Sequence, residues 1–189
     1  GTGSYVGGIA GESQGNVTYA ENLNIVNGTG DYVGGIVGSI EGDIENAASH
    51  TTVIGTNCVG GIAGIINGDI SLVENNATVY GEGDYIGGIA GNAFGNISDA
   101  SSVGTVIGVN FVGGIVGNIE GNVSNVENIS NISATGGNVG GIAGTVVGYI
   151  QNAINNVMVI DEETSVSYIV IGTDNVGGIV GDITGEITN

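Results

Sequence analysis

The chain has 189 residues, of which 40 are Gly and none Pro, and 41% are hydrophobic although only 5% are aromatic. That mixture excludes collagen, a loose Gly/Pro linker and a disordered acidic tail, and it points to a narrow, strand-lined core of small and β-branched residues. With 19 acidic residues, one His and neither Lys nor Arg, nothing can neutralise phosphates, which excludes nucleic acid and disfavours an anionic membrane surface; cations, neutral glycans and further copies of the chain remain as partners.

Val6-Gly7-Gly8-Ile9-Ala10-Gly11 opens a repeat that returns at Val33, Val59, Ile86, Val112, Val139 and Val176. The blocks begin 27, 26, 27, 26, 27 and 37 residues apart, so odd and even coils form a super-repeat of 53 residues. A second column follows each block after a further Gly: Val17, Ile44, Ile70, Ile97, Val123, Ile150 and Ile187. A third closes the coil: Val26, Val53, Val79, Val106, Ile132 and Val159. Apolar stretches parted by Gly-, Asn- and Asp-rich corners predict three short strands per coil, near residues 5–10, 15–20 and 23–27 of each. A unit this short cannot bury its own apolar face, so the coils must stack. The expectation is one all-β domain over 1–189, a single parallel β-helix of seven coils of 26 to 27 residues, starting near 1, 28, 55, 81, 108, 134 and 172. At the strand spacing of ~4.8 Å the rod is roughly 34 Å long. Gly at this density excludes helix. The paired glycines are expected at a corner, for positive φ or for close backbone approach.

One column, Tyr5, Tyr32, Cys58, Tyr85, Phe111, Asn138 and Asn175, reads as an aromatic stacking ladder or a sugar platform. Cys58, the lone cysteine, is read there as a packed small residue, because nothing basic is present to activate it. The column before it, with Asp31, Asn57, Asp84, Asn110 and Asp174, avoids consecutive charges, as does Glu21, Ala48, Glu74, Ser101, Glu127 and Ile154. This is either solvated alternation or, at Asp31, Asp84 and Asp174, calcium or another divalent cation held by oxygen-rich corners. No calcium-loop motif defines such a site. His50 is expected on the surface.

The sixth coil carries about eleven extra residues within Val157 to Ile171, an insertion placed near 160–170. Two β-rich runs around Asp161-Glu162-Glu163-Thr164 read as a hairpin leaving the wall. It is either a tolerated surface insertion or a docking arm, with Val166, Tyr168 and Ile169 as the assembly residues. Sequons at Asn16, Asn27, Asn76, Asn96, Asn122, Asn128 and Asn131 are candidate glycosylation sites. No run of 18 apolar residues is available for membrane insertion. The start at Gly1-Thr2-Gly3 reads as a processed protein or a fragment. Uncapped end coils are expected either to belong to a longer array or to join head to tail.

Val-Gly-Gly-Ile-(Ala/Val)-Gly, followed by the Gly-x-Ile-x-Asn-Ala of Gly42 to Ala47 and Gly148 to Ala153, resembles the GLUG repeat. That resemblance implies a secreted or cell-surface solenoid of a bacterium or archaeon, and it brings no catalytic residues. No carboxylate pair breaks the repeat, and the charge repels acidic sugars, so an enzyme is not expected. The single Thr column Thr52, Thr78 and Thr105 is too narrow for ice binding. The expected role is an extracellular structural protein, without a cofactor, that self-assembles into a surface fibre, sheath or layer. The alternative is the stalk of a surface adhesin that meets a glycan or a partner surface.

Overall fold

The computed structural model describes residues 1–156 and 170–188, and over that span the chain is all-β with no helix. The first coil runs through β1 (Val6–Gly7), β2 (Ala10–Ser13), β3 (Val17–Asn22) and β4 (Val26–Asn27). Each strand pairs in parallel with its own equivalent one coil on. Val6, Val33, Val59, Ile86, Val112, Val139 and Val176 form one such column. The β1 stack has seven rungs and the β4 stack six. The β2 and β3 stacks merge into one twelve-stranded sheet, because Ala143–Asn155 runs through the intervening corner as a single strand. The protein is therefore a parallel β-helix with three sheets.

Strand boundaries differ from those expected. The Val-Gly-Gly-Ile-Ala-Gly block is not one strand but β1, a corner and the start of β2. A Cβ on Gly35, the second glycine of its pair, would run into the Gly61 carbonyl of the next coil and the Ser49 side chain. The pair serves close approach and not positive φ. Positive φ falls instead on two columns of side-chain-bearing residues. One is Tyr5, Tyr32, Cys58, Tyr85, Phe111, Asn138 and Asn175, just before β1; the other is Tyr19, Asn46, Leu72, Asp99, Asn125 and Asn152, inside β3. Asn and Asp tolerate this region, whereas Tyr, Phe and Leu each carry a cost of roughly 1–2 kcal/mol. Neighbouring rungs hold them there: the β3 ladder pairs residues 17, 18, 20, 21 and 22 and skips 19, so each strand bends at that point.

The closing column also needs one correction. Ile132 pairs with Val170, not with Val159, which lies outside the described residues. Asn128 stands four residues before Ile132, while its partner Asn155 stands fifteen before Val170, so eleven residues are inserted ahead of Val170. The deciding feature is the small residue two places on. Val26, Val53, Val79 and Val106 precede Gly28, Gly55, Gly81 and Gly108, and Val170 precedes Gly172, but Val159 precedes Asp161. Gly172 needs to be small, since a Cβ there would press on Val139.

Two buried apolar clusters fill the rod. The larger joins the Ile36, Val37, Ile40, Ile44 and Ala47 columns; the smaller joins the Val33 and Val53 columns. Burying each Ile or Val contributes about 1.5–3 kcal/mol, so the stacked rungs supply the driving force that a single coil lacks. Against the second glycine of each pair lies a buried polar column, Asn22, Ser49, Asn75, Ser102 and Asn128. Asn22 closes its own turn through Asn24, and Asn128 does so through Ser130. Among the described residues only Ser49 Oγ and Asn75 Oδ1 are buried without a partner.

Candidate functional surfaces: corner ladders and a lengthwise groove

Acceptors and donors are organised along the corners in one direction. In the column before β1, Asn57 Nδ2 donates to Asp31 Oδ1 at 2.9 Å, and its backbone N–H donates to the same oxygen at 3.3 Å. Asn57 Oδ1 in turn accepts the Asp84 backbone N–H at 2.8 Å. The unit repeats one super-repeat later: Asn110 Nδ2 and N donate to Asp84 Oδ1 at 2.9 and 3.2 Å, and the Gly137 N–H reaches Asn110 Oδ1 at 3.0 Å. Each side-chain oxygen accepts from the next coil, and each Asn amide reaches back to the carboxylate before it. The alternation of Asp and Asn is therefore a hydrogen-bond rule as well as a charge rule.

The same corner explains the 53-residue period. The second, fourth and sixth coils carry an extra Gly before this position, Gly30, Gly83 and Gly136, which the third, fifth and seventh lack. A Cβ on Gly83 would meet Asn57 Oδ1, and one on Gly136 would meet Asn110 Oδ1. The extra glycine makes room for the amide of the coil before it.

Alternation is not universal. At the corner entering β3, the Asp69 N–H donates to Asp43 Oδ1 at 2.9 Å, so two carboxylates sit in adjacent coils. Asparagines flank them: Asn16 Oδ1 accepts the Asp43 N–H at 3.0 Å, and Asn96 Nδ2 donates to Asp69 Oδ1 at 3.1 Å.

The metal candidates are not brought together. Asp31 and Asp84 lie two coils apart with Asn57 between them, and Asp174 accepts the Asn175 N–H at 3.0 Å. Among the described residues no three His, Cys, Asp or Glu side chains converge. The aromatic ladder forms as two separate stacks: Tyr5 on Tyr32 at 5.1 Å, and Tyr85 on Phe111 at 4.8 Å. Cys58 interrupts it, 8% exposed. Burial, then the Asp31 and Asp84 carboxylates, push its thiol up to about 11, the opposite of an activated nucleophile. Tyr32 is pushed up too, by Cys58 first and then by its own burial. His50 is exposed, with Nε2 at 3.4 Å from Glu21 Oε1.

Asn16, Asn27, Asn76, Asn96 and Asn122 are exposed, and Asn131 is half-buried. Asn128 is corrected. Its side chain is wholly buried and donates to Asn155 Oδ1 at 2.9 Å, so a glycan there would need the core to open. Val166, Tyr168 and Ile169 lie outside the described residues.

Sequence reasoning did not anticipate a groove along the β3 face. The left-handed bend throws one outward column, Leu72, Asp99 and Asn125, to one wall, and Glu74, Ser101 and Glu127 to the other, with Ile154 at the far end. Val73, Ala100 and Val126 form the floor of this space of about 560 Å³. A second stretch of about 400 Å³ continues it past Tyr19, Glu21 and Asn46. Leu72 and Ile154 are 52% and 57% exposed, and Tyr19 is 85% exposed. Asn125 bonds Asp99 across coils at 3.2 Å, and Asn76 holds Glu74 at 2.6 Å. No protein family, curated protein or solved structure matches this chain.

Proposed function

We propose that the chain is a structural rod of a surface fibre, sheath or layer, acting through length, stiffness and a repeated outer face. The observation that carries this reading is the commitment of the polar corner residues. Side chains that could have served chemistry accept backbone N–H groups of the next coil instead, as Asp31, Asn57, Asp84 and Asn110 do in succession. Four backbone ladders and these side-chain ladders all run along one axis, so bending the rod strains every rung together. Resemblance of the repeat to GLUG modules supports an extracellular setting. The partner in this reading is another copy of the rod. Nineteen carboxylates without a Lys or Arg oppose that contact, so screening or bridging divalent cations are required.

The test is light scattering of the purified chain at neutral pH, from low salt to 0.15 M salt, with and without about 1 mM calcium. Growth of long polymers with salt or calcium, reversed by chelation, is the expected result. A monomeric rod under every condition would reject self-assembly and leave the reading of a stalk that spaces a binding domain.

A further inference from the structure

We propose that the lengthwise groove seats an extended, positively charged segment of another polypeptide, in polyproline-II conformation with a Lys or Arg at every third residue. The groove combines three properties. Its ends carry exposed apolar side chains, Leu72 and Ile154. Its floor is the backbone at Val73, Ala100 and Val126, whose side chains lie in the core, and it lies between full strand ladders with no open edge, so an occupant is held by side chains and not by strand addition. Its walls are acidic, with Glu74, Asp99 and Glu127 facing the space.

Charge decides the class of occupant. The chain has no Lys or Arg, so a second copy laid in the groove would set carboxylates against carboxylates. The amides of Asn76 and Asn125 bond Glu74 and Asp99, and His50, one coil before Asn76 and with Nδ1 at 3.4 Å from its Nδ2, turns Nε2 to Glu21 at 3.4 Å. A cationic partner supplies what the molecule lacks and is steered by its net charge of −19.

Spacing decides the conformation. Glu21, Glu74 and Glu127 occur in every second coil of one column, which places them ~9.6 Å apart at the strand interval. A polyproline-II chain rises ~3.1 Å per residue with three residues per turn, so like-facing side chains recur every ~9.3 Å. A β-strand repeats its facing side chains every ~6.6 Å and drifts out of phase at once. The groove therefore reads every third residue, and the stem of each Lys or Arg covers Leu72 or the floor while its charge meets a glutamate.

The experiment uses fluorescence anisotropy with two labelled peptides of one composition, (Pro-Pro-Lys)4 and an isomer with its lysines adjacent. The spaced peptide is expected to bind at least about tenfold more tightly. The double variant E74Q/E127Q should weaken it about tenfold, whereas E82Q/E120Q, with the same net charge and its changes outside the groove, should leave it nearly unchanged. L72N, which keeps the charge and suits the left-handed backbone, should also weaken it. Circular dichroism and melting confirm that each variant is folded. Equal binding of the two peptides, or equal loss in the two double variants, would reduce the effect to diffuse charge attraction and overturn the proposal. So would binding of a neutral hexasaccharide with neither peptide bound. None of these outcomes depends on whether rods associate with one another.

Discussion

Replacing Asn57 by Asp tests the corner ladder most directly, because it changes one amide into a carboxylate at nearly constant shape. Asn57 lies between Asp31 and Asp84 and donates its amide to Asp31 at 2.9 Å. In N57D three carboxylates occupy consecutive coils ~4.8 Å apart. Each contact then costs about 0.9 kcal/mol at the dielectric of water and about 3.5 kcal/mol at an effective value of 20. The corner is half-exposed, so the low end applies, about 2 kcal/mol for the two neighbours. Loss of the bond to the Asp31 carboxylate adds about 1.5 kcal/mol, and the total destabilisation at pH 7 is about 3 kcal/mol. Asp84→Asn is the mirror experiment: it removes a charge but keeps the oxygen that Asn110 needs, and it should shift stability by less than about 1 kcal/mol. Urea unfolding followed by circular dichroism measures both. The N57D deficit should shrink by about 2 kcal/mol in 1 M salt, where the Debye length of ~3 Å is shorter than the coil spacing. Equal costs for the two variants, or an N57D cost blind to salt, would refute the ladder as the reason for alternation.

Gly61→Ala drives a Cβ into the Gly88 carbonyl and the Asn75 side chain; it should cost at least about 3 kcal/mol and, because coils touch only their neighbours, split the melt into two transitions. Gly15→Ala meets nothing within 4 Å and should stabilise by about 0.4–1 kcal/mol, as the same melting series reports. Leu72→Asn relieves a left-handed φ of 54° and should stabilise by about 1 kcal/mol, while Leu72→Val should lose about 1–2 kcal/mol in urea titrations. Cys58 is raised from its ordinary 9.0 to about 11, so the folded chain holds the thiol proton more tightly than the unfolded chain. That contribution is complete below pH 9 and drains as pH climbs through 11, by about 2 kcal/mol. Cys58→Ala should flatten the fall in urea midpoint between pH 8 and pH 11.

Fold and register were legible because the repeat writes its columns at fixed offsets. Val17, Ile44, Ile70, Ile97, Val123, Ile150 and Ile187 pair as their spacing requires. The error at Val159 came from counting 27 residues onward from Ile132 when the Val-x-Gly signature of Val170 was the stronger guide. Left-handed columns were hidden for a different reason. Positive φ is normally announced by Gly, Asn or Asp, and here Tyr5, Tyr19, Leu72 and Phe111 adopt it. At the first column, ring stacking across coils compensates the strain, as Tyr5 on Tyr32 shows. The Asn22, Ser49, Asn75 column reads as corner polarity in the sequence, and only the glycine pairs packed against it reveal it as interior. The groove was illegible because it depends on where the backbone of β3 bends, and Tyr19 and Leu72 interrupt the signal that Asn46, Asp99, Asn125 and Asn152 give.

The same ladders account for part of the missing positive charge. Where a corner side chain accepts the N–H of the next coil, Asp and Asn have the oxygen to do so, whereas Lys and Arg only donate. Basic residues are thus unusable at Asp31, Asn57, Asp43 or Asp69 whatever the environment outside. No such demand exists on the open faces. Thr18, Glu45, Ser71, Ser98, Ser124 and Gln151 form an outward column in which any polar residue would serve. The corner hydrogen bonds give no reason for the exclusion of Lys and Arg there. If the groove takes the cationic segment proposed above, a single Lys facing it would compete with that segment for the glutamates.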